Sequence, residues 1–173
     1  MVVGLIVKTI DNKSGFCYTY CMEIKIVSRS KARKITIDLA TRFLRKELKL
    51  EKSTYVLQIH TMSGLRKHEG YNGVVAQTGE REITMMVDSR LGEGDLIQCV
   101  AHEMVHVKQI AKGQLTIDKF SRQLWLGQRV NVVYHERPWE QEAFARERLL
   151  ASRALAFAEK ELGKMVKKLA KTS

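Results

Sequence analysis

Residues 102–106 read His-Glu-Met-Val-His. On a helix, histidines four residues apart project from one face and can offer imidazole nitrogens to a single metal ion. Glu103, one position further round, can take a proton from a metal-bound water and pass it to a leaving amine, which is the chemistry of zinc-dependent hydrolysis. The flanking residues Ile97, Val100, Ala101, Met104, Val105, Val107 and Ile110 make most of the helical surface apolar. Such a helix is expected to lie buried across the middle of a small domain. Two imidazoles and a carboxylate in one turn of it each need a partner, because an unpaired polar group in apolar surroundings costs about 1–3 kcal/mol. A metal ion supplies that partner. Solvated histidines would need a polar flank, and Gln98, Lys108 and Gln109 offer one only at the edges.

The ends of the helix are marked by Gly92-Glu93-Gly94-Asp95, with Asp95 as the expected N-cap, and by Lys112-Gly113 at the C-terminus. A catalytic zinc ordinarily keeps three protein ligands and an open fourth position, so a third ligand must come from elsewhere. Downstream, Arg137-Pro138-Trp139-Glu140-Gln141-Glu142-Ala143 opens a long helical stretch with Pro138 suited to its first turn. Glu140 and Glu142 stand about 200° apart on that helix, so only one can face the metal. Glu142 is the preferred candidate: it shares a face with Ala145 and Leu149, and a small residue follows it. Glu140 is the alternative. The other carboxylate then has an ordinary place near a helix start.

The runs Ala101-His-Glu-Met-Val-His-Val-Lys-Gln109, Trp125-x-Gly127 and Pro138-Trp-Glu-Gln-Glu-Ala143 resemble the gluzincin group of zinc metallopeptidases. More narrowly, they look like small phage-borne proteins similar in layout to SprT-like peptidases. The resemblance covers roughly residues 83–150. It implies one Zn2+ ion, His102, His106 and Glu142 as ligands, and Glu103 as general base. The gap from His106 to Glu142 is longer than in thermolysin-type enzymes, and SprT-like proteins commonly use a third histidine. His135 is therefore a rival ligand. It could equally contact substrate or stabilise an oxyanion, as could Tyr134, or simply be solvated.

The rest of the chain must position these groups. Strands are expected near residues 2–10 and 17–28, a helix near 30–49, a strand at 55–62, a loop from Gly64 to Gly73, and a hairpin of residues 74–77 and 82–88 around a turn at 78–81. Together with the motif helix and a long C-terminal helix, this is an α+β, minimal zincin-like domain with a small mixed or antiparallel sheet, covering residues 1–173 as one unit. Residues 82–88 are expected at the cleft edge, where an extended peptide could add as a further strand. Residues 115–134 suggest a small hairpin or lid, with Trp125 as a packing or substrate wall.

The three cysteines, Cys17, Cys21 and Cys99, are too sparse for a disulfide framework and suggest a reducing, cytoplasmic setting, that of the host if the chain is phage-encoded. Cys17 and Cys21 alone do not make a structural zinc site, and Cys99 reads as core. The first eight residues read as a strand and not a signal peptide, and no stretch is long enough to span a membrane. The formal net charge is +11, with lysine and arginine gathered at Lys31–Lys49 and again at Lys160–Lys171. That charge reads first as solvated helix faces and second as a field that draws nucleic acid or an acidic partner. Two functions therefore stand: a zinc metallopeptidase acting on peptide or protein, and a non-catalytic zincin-like binding or structural protein, phage- or nucleic-acid-associated, that uses its basic surface.

Overall fold

The computed structural model describes residues 22–117 and 122–172. In it the chain runs β1 (Glu23–Val27), α1 (Lys31–Glu47), β2 (Val56–Met62), α2 (Leu65–Glu69), β3 (Gly73–Gly79), β4 (Glu82–Asp88) and α3 (Glu93–Ala111). Three short strands follow, β5 (Leu115–Ile117), β6 (Gln123–Trp125) and β7 (Gln128–Arg129), then a 3-10 turn (Tyr134–Glu136) and α4 (Pro138–Thr172). The fold is α+β, with a four-stranded sheet in the order β1-β2-β4-β3 and a three-stranded sheet in the order β5-β6-β7.

Parallel strands need a crossover, and α1 supplies the one between β1 and β2. Ser30 starts that helix by accepting the Arg33 N–H on its hydroxyl at 3.3 Å. Alternation along the strands sends Leu57 and Ile59 of β2 and Ile83, Met85 and Val87 of β4 to one buried face. Ile37, Ala40 and Leu44 of α1 and Leu96, Val100, Met104 and Val107 of α3 join the same core. The long helix α4 packs on both α3 and α1. It buries Trp139, Ala143, Leu150 and Ala154, and the two alanines let the helix axes come close. Near its middle, the Phe157 ring meets Phe43 of α1 at 5.7 Å between centroids.

Several expectations are corrected. β4 is not the edge strand: it pairs in parallel with β2 on one side and with β3 on the other, so among the described residues β3 lies at that edge of the sheet. The loop from Gly64 to Gly73 contains α2, whose start is fixed by the Asp88 carboxylate accepting the Arg66 N–H at 2.8 Å. α3 begins at Glu93 with Gly92 as N-cap and no side-chain cap bond, so Asp95 lies in the first turn and does not cap it. The helix ends as expected, with Gly113 following in the left-handed region at φ +65°. The expected lid is the β5-β6-β7 sheet, in which Trp125 packs on Trp139 at 6.3 Å between centroids and so takes the packing role. The expected strand at 2–10, the beginning of the second, and Cys17 and Cys21 lie outside the described residues. Among the described residues no helix is long and apolar enough to cross a membrane.

Candidate metal centre and cleft

α3 and α4 cross so that one face of each meets the other. His102 and His106 are both buried on α3, and their Nε2 atoms lie 3.1 Å apart. From the first turn of α4, the buried Glu140 places Oε2 at 3.4 Å from His102 Nε2 and 3.5 Å from His106 Nε2. These three residues form a group able to hold a metal ion. The spacing suits zinc: ligand atoms about 2.0–2.1 Å from a tetrahedral ion stand about 3.3–3.4 Å from one another.

Hydrogen bonding on the far side of each ring fits the same assignment. His102 Nδ1 faces Glu147 Oε2 at 2.7 Å, and a carboxylate can only accept, so Nδ1 carries the proton. His106 Nδ1 faces Gln109 Oε1 at 2.8 Å. The amide of Gln109 is oriented by its Nε2, which donates to the Trp139 carbonyl and to Glu142 Oε2, both at 3.0 Å. Both Nε2 atoms of neutral rings are therefore lone-pair donors, aimed at each other and at a carboxylate. Such a trio is repulsive unless a cation sits between its members. Without one, protons are drawn in: burial is the largest single influence and lowers the affinity of both imidazoles for a proton, but the hydrogen bond to Glu140, the nearby Glu103 charge and the bonds at Nδ1 together outweigh it and raise both above the ordinary histidine value. Burial likewise pushes Glu140 up, and its bonds to the two histidines overcome this and hold it well below the usual carboxylate range.

The third residue is thus Glu140 and not the preferred Glu142. Glu142 turns to the other side of α4, where its carboxylate accepts from Lys108 Nζ at 2.6 Å, from Gln109 and from Arg146. His135 is exposed in the 3-10 turn and does not join the group. Its neighbour Tyr134 does reach the site, donating its hydroxyl to Glu140 Oε2 at 2.8 Å.

Glu103 is 6 % exposed and accepts no hydrogen bond from any described residue. Burial pushes its carboxyl up to about 7, against the lowering effect of His106 and His102. It lines a cleft of about 370 Å³ together with His102, Tyr134, Phe144 and Glu147, closed on the sheet side by Tyr71 to Gly73. Compared with family models, with curated proteins and with solved structures, the chain matches none of them. Its own geometry therefore carries the functional reading.

Residues that the motif did not point to complete the site. Glu147 holds His102 with one oxygen and accepts Gln98 Nε2 at 2.8 Å with the other. Glu140 and Glu147 are seven residues apart, close to two full turns, so their shared face was available from spacing. Gln109 was visible only as an edge polar residue, although it fixes His106. Such partners set ligand orientation, and Glu147→Ala is expected to weaken zinc binding roughly 10–100-fold, measured by chelator competition.

Gly73 is the other. A Cβ there would stand 2.6 Å from Cys99 Sγ and 2.9 Å from Glu103 Oε1. The first residue of the edge strand can run beside Glu103 only because it lacks a side chain. Gly73→Ala is expected to displace Glu103 and, under the function proposed below, to lower kcat at least about tenfold with zinc content retained. Removing the nearer obstacle in Gly73→Ala/Cys99→Ala should recover part of the loss, and an unchanged kcat in the single variant would sink this role for the glycine.

Proposed function

We propose that the protein is a zinc-dependent peptidase in which His102, His106 and Glu140 hold the ion and Glu103 acts as general base and acid. The observation that carries this reading is the convergence of two imidazole Nε2 atoms and a carboxylate oxygen at the spacing of three corners of a tetrahedron, beside a buried glutamate that accepts no hydrogen bond from a described residue. A purely structural zinc closes its fourth corner with protein and has no need of an adjacent base. That difference favours the enzyme over a non-catalytic, zincin-like binding or structural protein.

Zinc, when bound, supplies a Lewis acid that polarises the scissile carbonyl and acidifies water held at the site. Glu103 takes the proton of that water, a task matched to a carboxyl poised near neutral pH, and returns it to the amine that leaves. Glu147 and Gln109 keep the two imidazoles presenting Nε2. Tyr134, whose hydroxyl donates its one proton to Glu140 beside the cleft, orients that carboxylate. The outer side of β3, an edge strand among the described residues, can accept an extended polypeptide through main-chain hydrogen bonds, which favours a peptide as the bond cut.

The test is elemental analysis of the purified protein, followed by cleavage of an unstructured polypeptide with and without a chelator. About one zinc per chain and chelator-sensitive, zinc-restored cleavage are expected. Absence of zinc after metal-replete expression would overturn the reading and leave the +11 surface as the feature to pursue, with nucleic acid or an acidic protein as its partner.

A further inference from the structure

We propose that the cleft beside Glu103 takes the cationic side chain of an arginine or lysine in the polypeptide that is cut. The inference rests on the peptidase reading above and names its substrate class. Lysine and arginine outnumber aspartate and glutamate by 30 to 19 over the whole chain. The lining of this cleft reverses the balance: among the described residues it contains the carboxylates of Asp95, Glu103 and Glu147 and no lysine or arginine. A local sign opposite to the surrounding field selects by charge, because a cation is drawn into the cleft while the outer surface repels it.

The carboxylates have different duties. Glu147 is engaged by His102 and Gln98. Glu103 is 94 % buried, given its 6 % exposure, points into the cleft, and accepts no hydrogen bond from a described residue; the base role keeps it so. Asp95, exposed in the first turn of α3, has no side-chain hydrogen bond or ion pair among the described residues. It is the carboxylate left to pair with a ligand. Exposed rings of Tyr71, Tyr134 and Phe144 form the remaining walls, and ring faces attract a guanidinium or ammonium as well as its aliphatic stem. The nearby cations have other places: Arg137 stacks on Tyr134 and Trp139 at 5.5 and 5.7 Å from their ring centres, and Arg148 lines the adjoining hollow beside Gly94 and Ala151.

Position agrees with charge. β3 starts at Gly73, on the wall of the cleft, so a polypeptide strand laid on the side that no described strand pairs with would pass the mouth. Alternate side chains of such a strand point the same way, and one of them would enter.

The experiment uses the zinc-loaded full chain and quenched peptides that differ at one position, occupied in turn by arginine, lysine, leucine or glutamate and walked across the cleavage site. At one position, arginine and lysine are expected to give kcat/KM about tenfold above glutamate. Asp95→Lys is expected to remove or invert that ratio, with zinc content and melting temperature confirming an intact fold. Cleavage with no preference for a cation at any position overturns the inference alone, as does a ratio unchanged in Asp95→Lys. Failure of the zinc-loaded protein to cut any peptide overturns the peptidase reading and the inference with it.

Discussion

Glu103→Gln is expected to lower kcat for peptide cleavage by roughly 10²–10⁴-fold while leaving one zinc per chain. Glutamine keeps the shape and burial of the side chain but cannot take a proton. The residue is not among the metal-holding group, so the ion should remain, and a variant that still cleaves at the wild-type rate would refute the role of Glu103. The same carboxyl sets the acid limb of the pH profile. Burial raises it from 4.5 to about 7 in the metal-free protein, and a bound dication favours the charged form. Activity should therefore rise with pH through a value at or below about 7, because only the carboxylate can accept the proton.

Stability of the metal-free protein carries the opposite signature. A group whose folded-state pKa is raised contributes stability that is fully present below its unfolded value, here 4.5, and is lost as pH rises through about 7. Glutamine carries no such penalty. Melting temperatures of metal-free wild type and Glu103→Gln should therefore diverge in favour of the variant between pH 5 and pH 8, and converge on acidification.

The second large effect separates two glutamates that are neighbours in sequence. Glu140→Ala is expected to remove zinc, with loss of affinity well beyond the roughly 10–100-fold typical of an orienting partner. Glu142→Ala is expected to keep zinc and to lose stability instead. It leaves Lys108, whose side chain is 11 % exposed, without the carboxylate that holds it at 2.6 Å, and breaking such a pair costs on the order of 2–3 kcal/mol. Elemental analysis and thermal melts of the two variants, side by side, give the answer. Zinc retained in Glu140→Ala and lost in Glu142→Ala would overturn the metal group described here.

The motif helix, its N-cap apart, was legible in the chain because its evidence is local. Histidines four residues apart on a helix share a face, and the apolar residues around them required burial; the structure buries His102, Glu103 and His106 on α3 as that periodicity implies. The ends of α1, β2 and β4 to within two residues, and the start of α4 at Pro138, follow from the same kind of signal, whereas the short α2 did not.

What the chain left open was which face of α4 turns inward. The small or apolar residues Ala145 and Leu149 drew attention to the face of Glu142, yet both are exposed. The buried stripe is Trp139, Ala143, Leu150 and Ala154, and docking that stripe on α3 carries Glu140 and Glu147 to the histidines. Amphipathic periodicity was present on both faces, and only packing against α3 and α1 decides between them.

The edge of the sheet was undecided for a similar reason. A hairpin fixes that β3 and β4 are neighbours, but the outer strand is set by a long-range partner, and β2 takes the free side of β4. The sequence by itself determined the turn that brings His102 and His106 to one face with Glu103 beside them, because spacing along one helix is a local property. That Glu140 completes the group able to hold a metal ion, that Glu147 orients His102, that Gly73 lies beside Glu103, and the sign of charge in the cleft were decided only by tertiary structure, since each depends on which surfaces meet when the helices and sheet pack.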